Sequence, residues 1–338
     1  MNIKFFNPAL EFKQHQEEYV NNFIDVRSRG DLILRGDLEK FEKDFAKYVG
    51  TKYAVGVNSG TDALLIALKA LDVKPEDRIL VPSHTFVATA QVVAQIGAIP
   101  VLYDMDTNFE EIHDDIKCVM VAHIAGEIMP NFEALLELAR VLKIPIVEDA
   151  CQALGAKMNG KLAGSFGKVG CFSFYPAKIL GSPGDGGALV TDDEEVYKFA
   201  LEYRNHWKCD YSNWGINSRL DNVWASELNL KLARLDKVLA RRKEIAYKYH
   251  TKLKCGLPLW DDNRVWQDFV IESGKRDELY EFLKEAGIET MKNGYPMPIG
   301  KLPVAQKYEE NTLRIPINEV LTDEEQDYII KKINEFYK

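Results

Sequence analysis

The stretch Phe172-Ser173-Phe174-Tyr175-Pro176-Ala177-Lys178-Ile179-Leu180-Gly181, with Gly184-Asp185-Gly186-Gly187 just beyond it, decides how this chain folds. A β-type run, Val169 to Phe174, delivers one lysine into a turn full of glycine. Another strand-like run, Ala188 to Thr191, leaves that turn. Taken alone, Lys178 is a loop lysine that snorkels to water. At the end of a buried strand the ammonium form is disfavoured instead, and a neutral amine is a nucleophile toward carbonyl carbon.

Its neighbours decide between the two. Upstream, Ile144-Pro145-Ile146-Val147-Glu148 is short, apolar and strand-like, and it runs into Asp149-Ala150-Cys151-Gln152. A carboxylate at the carboxyl end of a parallel strand sits where open α/β sheets bind their ligands. By itself Asp149 could equally cap a following helix. Together, an amine and a carboxylate suit pyridoxal phosphate, whose ring nitrogen needs an acidic partner to hold its proton. Gln152, three residues on, is placed to donate to the ring's phenolate oxygen.

A further piece is Tyr53-Ala54-Val55-Gly56-Val57, then Asn58-Ser59-Gly60-Thr61-Asp62, then an apolar helical run from Ala63. Free N–H groups at the helix start, with the Ser59 and Thr61 hydroxyls, make a site for a phosphate, although the same residues also make an ordinary N-cap. The turn is neither a nucleotide-hydrolase phosphate loop nor a dinucleotide fingerprint.

These pieces carry a resemblance. Asn58-Ser59-Gly60-Thr61-Asp62-Ala63-Leu64, Pro82-Ser83-His84-Thr85-Phe86, Val147-Glu148-Asp149-Ala150-Cys151-Gln152-Ala153, Ser173-Phe174-Tyr175-Pro176-Ala177-Lys178 and Gly215-Ile216-Asn217-Ser218-Arg219-Leu220-Asp221 follow one another as in the DegT/DnrJ/EryC1/StrS sugar aminotransferases. The chain resembles that family, within the fold-type I pyridoxal phosphate enzymes. The resemblance implies Lys178 as the Schiff-base lysine, Asp149 as the pyridinium partner and Gln152 near the ring oxygen. It implies Phe86 stacked on the ring face. Ser59, Gly60, Thr61 and Ser173 would hold the phosphate, with Asn217 reaching it from the other subunit of a homodimer. His84, Tyr295 and Arg219 are the candidates for substrate contact.

The rest of the composition is consistent with this. At 338 residues, 46% hydrophobic and 28% charged, the chain reads as a soluble globular protein of two domains. A net charge of −9 argues against a general nucleic-acid binder. The five cysteines are odd in number and form no Cys-x-x-Cys pair, so reduced thiols are expected. The six histidines show no metal-ligand spacing. His84 and His123 stand out because both follow strands. There is no secretory segment at the N-terminus and no run of membrane-spanning length, which points to the cytoplasm.

Residues 10–49 read as helices, with Phe41, Phe45 and Tyr48 at helical spacing. Strands are expected at 53–57, 78–82, 99–103, 118–123, 144–148, 169–174 and 187–191, and helices at 62–71, 87–96 and 131–142. This alternation makes an α/β domain with a mostly parallel seven-stranded sheet, like that of aspartate aminotransferase. A helix at 193–203 follows, then a long helical segment from about 221 to 255, with room for breaks, whose Arg234, Arg241, Arg242 and Lys243 read as a solvated face. A smaller α+β unit is expected beyond it: strand 265–271, helix 276–286, a Pro-rich loop 295–303, strand 312–315 and helix 322–337. The large domain would cover 1–235 and the small one 236–338.

The implied reaction is transamination, with glutamate as donor and a nucleotide-linked keto sugar as acceptor. Lys178 would serve first as leaving group and then as general acid/base, a pair of roles that suits lysine and not arginine. Relatives with histidine at the lysine position catalyse dehydration, so the lysine favours an aminotransferase. One departure bears on the acceptor. The family often places histidine beside its Tyr-Pro-x-Pro loop, whereas Asn293-Gly294-Tyr295-Pro296-Met297-Pro298-Ile299-Gly300 has glycine at both places. A smaller phosphorylated ketone therefore stays open as acceptor. A dehydratase and a non-catalytic, cofactor-binding regulator are the rival functions.

Overall fold

The computed structural model describes residues 1–109, 112 and 115–338. His113 lies outside the described residues. Two helices, α1 (Pro8–Arg29) and α2 (Gly36–Val49), precede the first strand. The alternating region then runs β1 (Tyr53–Val57), α3 (Gly60–Ala70), β2 (Arg78–Pro82), α4 (Val87–Ile96), β3 (Ile99–Tyr103), β4 (Ile116–Ala122), α5 (Phe132–Leu142) and β5 (Ile146–Asp149). A small hairpin, β6 (Lys157–Met158) and β7 (Lys161–Leu162), leads to β8 (Val169–Ser173), β9 (Gly187–Thr191) and α6 (Glu194–Tyr203). After α7 (Asn222–Ala233) and α8 (Leu235–Lys252) come β10 (Phe269–Glu272), α9 (Arg276–Glu285), β11 (Met291–Lys292), α10 (Pro303–Asn311), β12 (Thr312–Ile315) and α11 (Asp323–Phe336).

The large sheet has seven strands in the order β1-β9-β8-β5-β4-β2-β3. The pairings of β2 with β3 and β4, of β4 with β5 and of β5 with β8 are parallel. β9 alone is reversed, antiparallel to both β1 and β8. The connection explains it. Every parallel return needs a crossover, usually a helix, but β8 passes to β9 through the lysine turn alone.

Alternation along β8 positions the chemistry. Phe172 and Phe174 point to one face, where their rings meet Phe45 edge-on at 5.1 and 5.2 Å, and Phe41 meets Phe174 at 5.2 Å. These phenylalanines explain the helical spacing noticed in α2. Ser173, between them, faces the opposite side, where α3 begins. α3 is buried along most of its length, against β8, β9 and α4. The C-terminal unit has its own core of Trp266, Phe269, Ile271, Leu279, Leu313 and Ile329 around a three-stranded sheet, β10-β12-β11.

Two expectations need correction. The strand expected at 265–271 begins only at Phe269. The backbone before it is satisfied without a ladder, because Val265 N–H bonds the Gly126 carbonyl and the Arg242 guanidinium takes the carbonyls of Trp266 and Gln267. Arg242 is accordingly no part of a solvated face: it is 4% exposed, with Glu319 as its ionic partner. The long helical segment does break, as its pattern allowed, at Arg234 (φ −112°). α10 occupies a stretch to which the sequence pattern assigned no element.

Candidate active site

Segments far apart in sequence converge at the carboxyl edge of the parallel strands. A Cβ on Gly60 would lie 2.7 Å from Cys151 Sγ and 2.9 Å from Ser173 Cβ, so the start of α3 presses directly on the turn after β5 and on the end of β8. Gly187 is equally constrained, because a Cβ there would fall 2.3 Å from the carbonyl carbon of Ser59. Glycine at both places is what lets the phosphate turn, the Asp149 turn and the lysine strand share one spot. Ser59 caps α3, its Oγ accepting from Asp62 N–H at 3.1 Å. The N–H groups of Gly60 and Thr61 lie in the first turn of α3, where no helix supplies a partner, so they stay available to an anion.

β5 ends in two carboxylates that face opposite ways. Glu148 is fully buried and spent on structure: its oxygens take N–H groups of Gly164, Phe166 and Gly167 and the Nε2 of His123. His123 Nδ1 accepts from Met129 N–H, so this histidine is structural. Asp149, 7% exposed, does not cap a helix. Its Oδ2 accepts from the Thr89 hydroxyl at 2.7 Å, and its Oδ1 from Cys151 N–H at 3.2 Å. Thr89 is in turn 2.8 Å from Thr85 Oγ1. A carboxylate has about four acceptor sites, so Asp149 keeps capacity for one more donor, such as a pyridinium N–H. Thr89, in the first turn of α4, escaped sequence reasoning, although it follows four residues after Thr85, which precedes the helix. The Cys151 thiol beside them is held well above its ordinary pKa, first by burial and then by the Asp149 charge, so it is no competing nucleophile.

Gln152 Oε1 accepts from Ala125 N–H at 3.0 Å, and its Nε2 donates to the Tyr295 hydroxyl at 3.2 Å. Tyr295 thereby joins the site from the C-terminal unit. Burial pushes its hydroxyl up to about 12, against the opposing influence of Arg314, so it remains a neutral donor and acceptor. His84 stands edge-on to Tyr295 at 5.3 Å, and its Nδ1 is 2.8 Å from Glu309 Oε1. Lys301 shares that carboxylate and also donates to the Ser83 carbonyl. The Glu309–Lys301 pair occupies the flank where the family's loop histidines are missing.

Two candidates stand apart. Arg219 donates to Asn205 Oδ1 at 2.9 Å, away from His84 and Tyr295. Asn217 is exposed, and the neighbouring Ser218 touches the phosphate turn of its own chain instead, through Asn58 N–H and Asp62 Oδ2. A cavity of about 130 Å³ beyond His84 is lined by Tyr103, Met129 and Tyr308 but by none of Asp149, Gln152 and Lys178. Lys178 lines a different cavity, of about 760 Å³, together with Pro176, Tyr19 and Trp224. Phe86 and Tyr175 are each 54% exposed. Lys178 is half-buried, and its amine makes no hydrogen bond or ion pair among the described residues.

The residues present fit pyridoxal phosphate: a carboxylate with acceptor capacity to spare, an uncommitted amine, an exposed aromatic face and a helix N-terminus free for phosphate. When bound, that group supplies an electron sink for bond breaking at the substrate carbon. Among the described residues no group of His, Cys, Asp and Glu could hold a metal ion.

Residues 13–334 match the DegT/DnrJ/EryC1/StrS aminotransferase family. The chain is 34% identical to a pleiotropic regulatory protein of Geobacillus stearothermophilus, over 100% of this chain and 99% of that protein. It is 36% identical to dTDP-3-amino-3,4,6-trideoxy-alpha-D-glucose transaminase of Streptomyces venezuelae, over 99% and 96% of the two. The structure of DesV from S. venezuelae, solved in complex with a ketimine intermediate, superposes with a TM-score of 0.93 at 34% identity, covering 100% of this chain and 99% of that one. This chain thus belongs to the DegT/DnrJ/EryC1/StrS aminotransferase family, and it is a pyridoxal-phosphate-dependent aminotransferase of fold-type I.

Proposed function

We propose that this enzyme transfers an amino group from glutamate to the keto group of a nucleotide-linked sugar. The observation that carries the reading is the pairing of an uncommitted Lys178 amine with a buried Asp149 carboxylate, both of whose charges act on Cys151, in a chain similar end to end to dTDP-sugar transaminases. Lys178 is the reacting amine and proton carrier. Asp149 holds the proton on the ring nitrogen, Gln152 meets the ring oxygen, and Phe86 covers the ring face. Ser59, Gly60, Thr61 and Ser173 bind the phosphate. His84 and Tyr295 lie on the acceptor side, with Arg219 reaching it only if the assembly brings it there. We place the large domain at 1–235, the small one at 236–338, and the protein in the cytoplasm. No helix of the described residues is long and apolar enough to cross a membrane.

The test loads the enzyme with its amine form, using glutamate, and offers a panel of keto compounds. Return of the aldehyde-form spectrum with dTDP- or UDP-linked keto sugars supports the reading. Return only with small phosphorylated ketones would replace the acceptor, a result that Gly294 and Gly300 would explain by a loop that brings no imidazole beside His84. No return with any ketone would favour a regulator, and loss of water from the sugar without amine incorporation a dehydratase.

A homodimer with shared sites completes the proposal. Its support is a loop with an unusual surface between α6 and α7. Trp214 in that loop is 91% exposed, and His206, Trp207 and Tyr211 hold positive φ. Bulky residues take that conformation at a cost that outside contacts can offset. If Asn217 serves the partner's phosphate, mixing Lys178→Ala with Asn217→Glu after reversible dissociation gives hybrid dimers with one intact site. About one quarter of wild-type activity should return at equal mixing. No recovery, despite confirmed exchange of subunits, would remove Asn217 from the partner's site.

A further inference from the structure

The lysine turn is fastened from outside the large sheet. Gln267 lies in the loop before β10, and its side-chain amide bridges the main chain on both sides of Lys178. Nε2 donates to the Ala177 carbonyl at 3.0 Å, and Oε1 accepts from Ile179 N–H at 3.1 Å. The rest of the turn is tied elsewhere. Lys178 N–H bonds the Tyr175 carbonyl at 2.8 Å, Ser182 Oγ bonds the Phe174 carbonyl at 2.9 Å, and Lys231 Nζ bonds the Gly181 carbonyl at 2.8 Å. Gln267 is held in its turn. The buried Arg242 donates to the carbonyls of Trp266 at 3.0 Å, Gln267 at 3.3 Å and Ile317 at 2.7 Å, with Glu319 neutralising it.

We propose that Gln267 is a positioning residue for Lys178, a role that rests on Lys178 being the reacting amine. No described residue bonds the lysine amine itself, so its position follows from the direction in which the side chain leaves the backbone. The amide clamp fixes that direction by pinning the peptide before the lysine and the peptide after it. The stem is about 6 Å long, so a tilt of about 10° at Cα moves the amine by about 1 Å, a displacement that can cost roughly 10²-fold in rate. The clamp comes from the segment that leads into the small C-terminal sheet. The lysine's aim is therefore coupled to the packing of β10 and α8.

The experiment compares Gln267→Met, which keeps the length and loses the amide, with Gln267→Glu, which can accept from Ile179 N–H but cannot donate to Ala177. In Gln267→Met, hydrogen exchange at the Ile179 amide should accelerate about tenfold, with or without cofactor, while the amides of β8 keep their protection. Turnover per cofactor-loaded site should fall between about 10- and 10²-fold with the KM for the amino donor unchanged. Gln267→Glu should retain Ile179 protection and recover part of the rate. Unchanged exchange at Ile179, or unchanged kcat per loaded site, in Gln267→Met would overturn the proposal, since a purely structural glutamine would lower only the melting temperature. Should that variant not fold, Gln267→Glu carries the same comparison: wild-type kcat with Ala177 undonated would count against the clamp. Borohydride trapping in the wild-type protein keeps the underlying assignment separate, because label on another lysine refutes Lys178 whatever the Gln267 variants do.

Discussion

Lys178→Ala should abolish turnover, by about 10⁴-fold or more, while the protein still folds and still takes up pyridoxal phosphate noncovalently. Folding should survive because the side chain makes no hydrogen bond or ion pair among the described residues, and the turn is held through Gln267, Ser182 and Lys231. Cofactor should still bind because the phosphate turn and Asp149 belong to other segments. The loss is chemical. Without the amine nothing carries the proton at the substrate carbon, and no other lysine is tied into this turn except Lys231, which is committed to Gly181 and Glu227. Absorbance at the internal Schiff-base band should vanish, and borohydride should no longer fix the cofactor to the protein. A small exogenous amine should restore a fraction of the proton-transfer rate. Persistent covalent trapping in this variant would show that another lysine does the chemistry.

Asp149→Asn should be less severe in rate than loss of the lysine, and mild in binding. The amide keeps the size of the carboxylate, and its oxygen can still accept from Thr89. It cannot balance a pyridinium charge, so the ring nitrogen gives up its proton and the electron sink weakens. Loss of one preorganised charge aimed at a developing charge costs on the order of 10²- to 10³-fold. The loss should fall on the half-reaction rate and not on the KM for the donor. A deuterium isotope effect at the donor's α-carbon should rise as proton transfer becomes limiting. A half-reaction within a few-fold of wild type would mean that Asp149 only orders its turn through Thr89 and Cys151.

How much of this was legible in the chain depended on how local each feature is. β1, β2, β3 and β9 have the bounds that their apolar runs predicted; β2 and β9 are buried nearly throughout, and such a strand writes itself as a short continuous run, while the edge strand β3 is only partly buried. Lys178, Asp149 and the phosphate turn were visible because each sits at a strand exit, marked by glycine or by a change from apolar to polar residues. What sequence could not show was contact across the chain. Nothing in Val265-Trp266-Gln267-Asp268 announces that Gln267 grips a turn 90 residues earlier or that Arg242 has taken the carbonyls a ladder would use. Asn217 marks the other limit: its assigned partner would lie in a second copy of the chain, which local pattern cannot reach.

The adjacent carboxylates Glu148 and Asp149 carry a consequence for how such an enzyme can change over generations. One anchors a loop and the other faces the proposed cofactor site only because successive side chains of a strand alternate. A single-codon insertion or deletion within β5 would exchange them, turning the loop's anchor toward that site and taking Asp149 away from it. Length variation should therefore be purged from this strand while tolerated in surface connections such as the β6–β7 hairpin. In a library of random indels screened for activity, survivors should fall on those connections and leave 146–149 untouched.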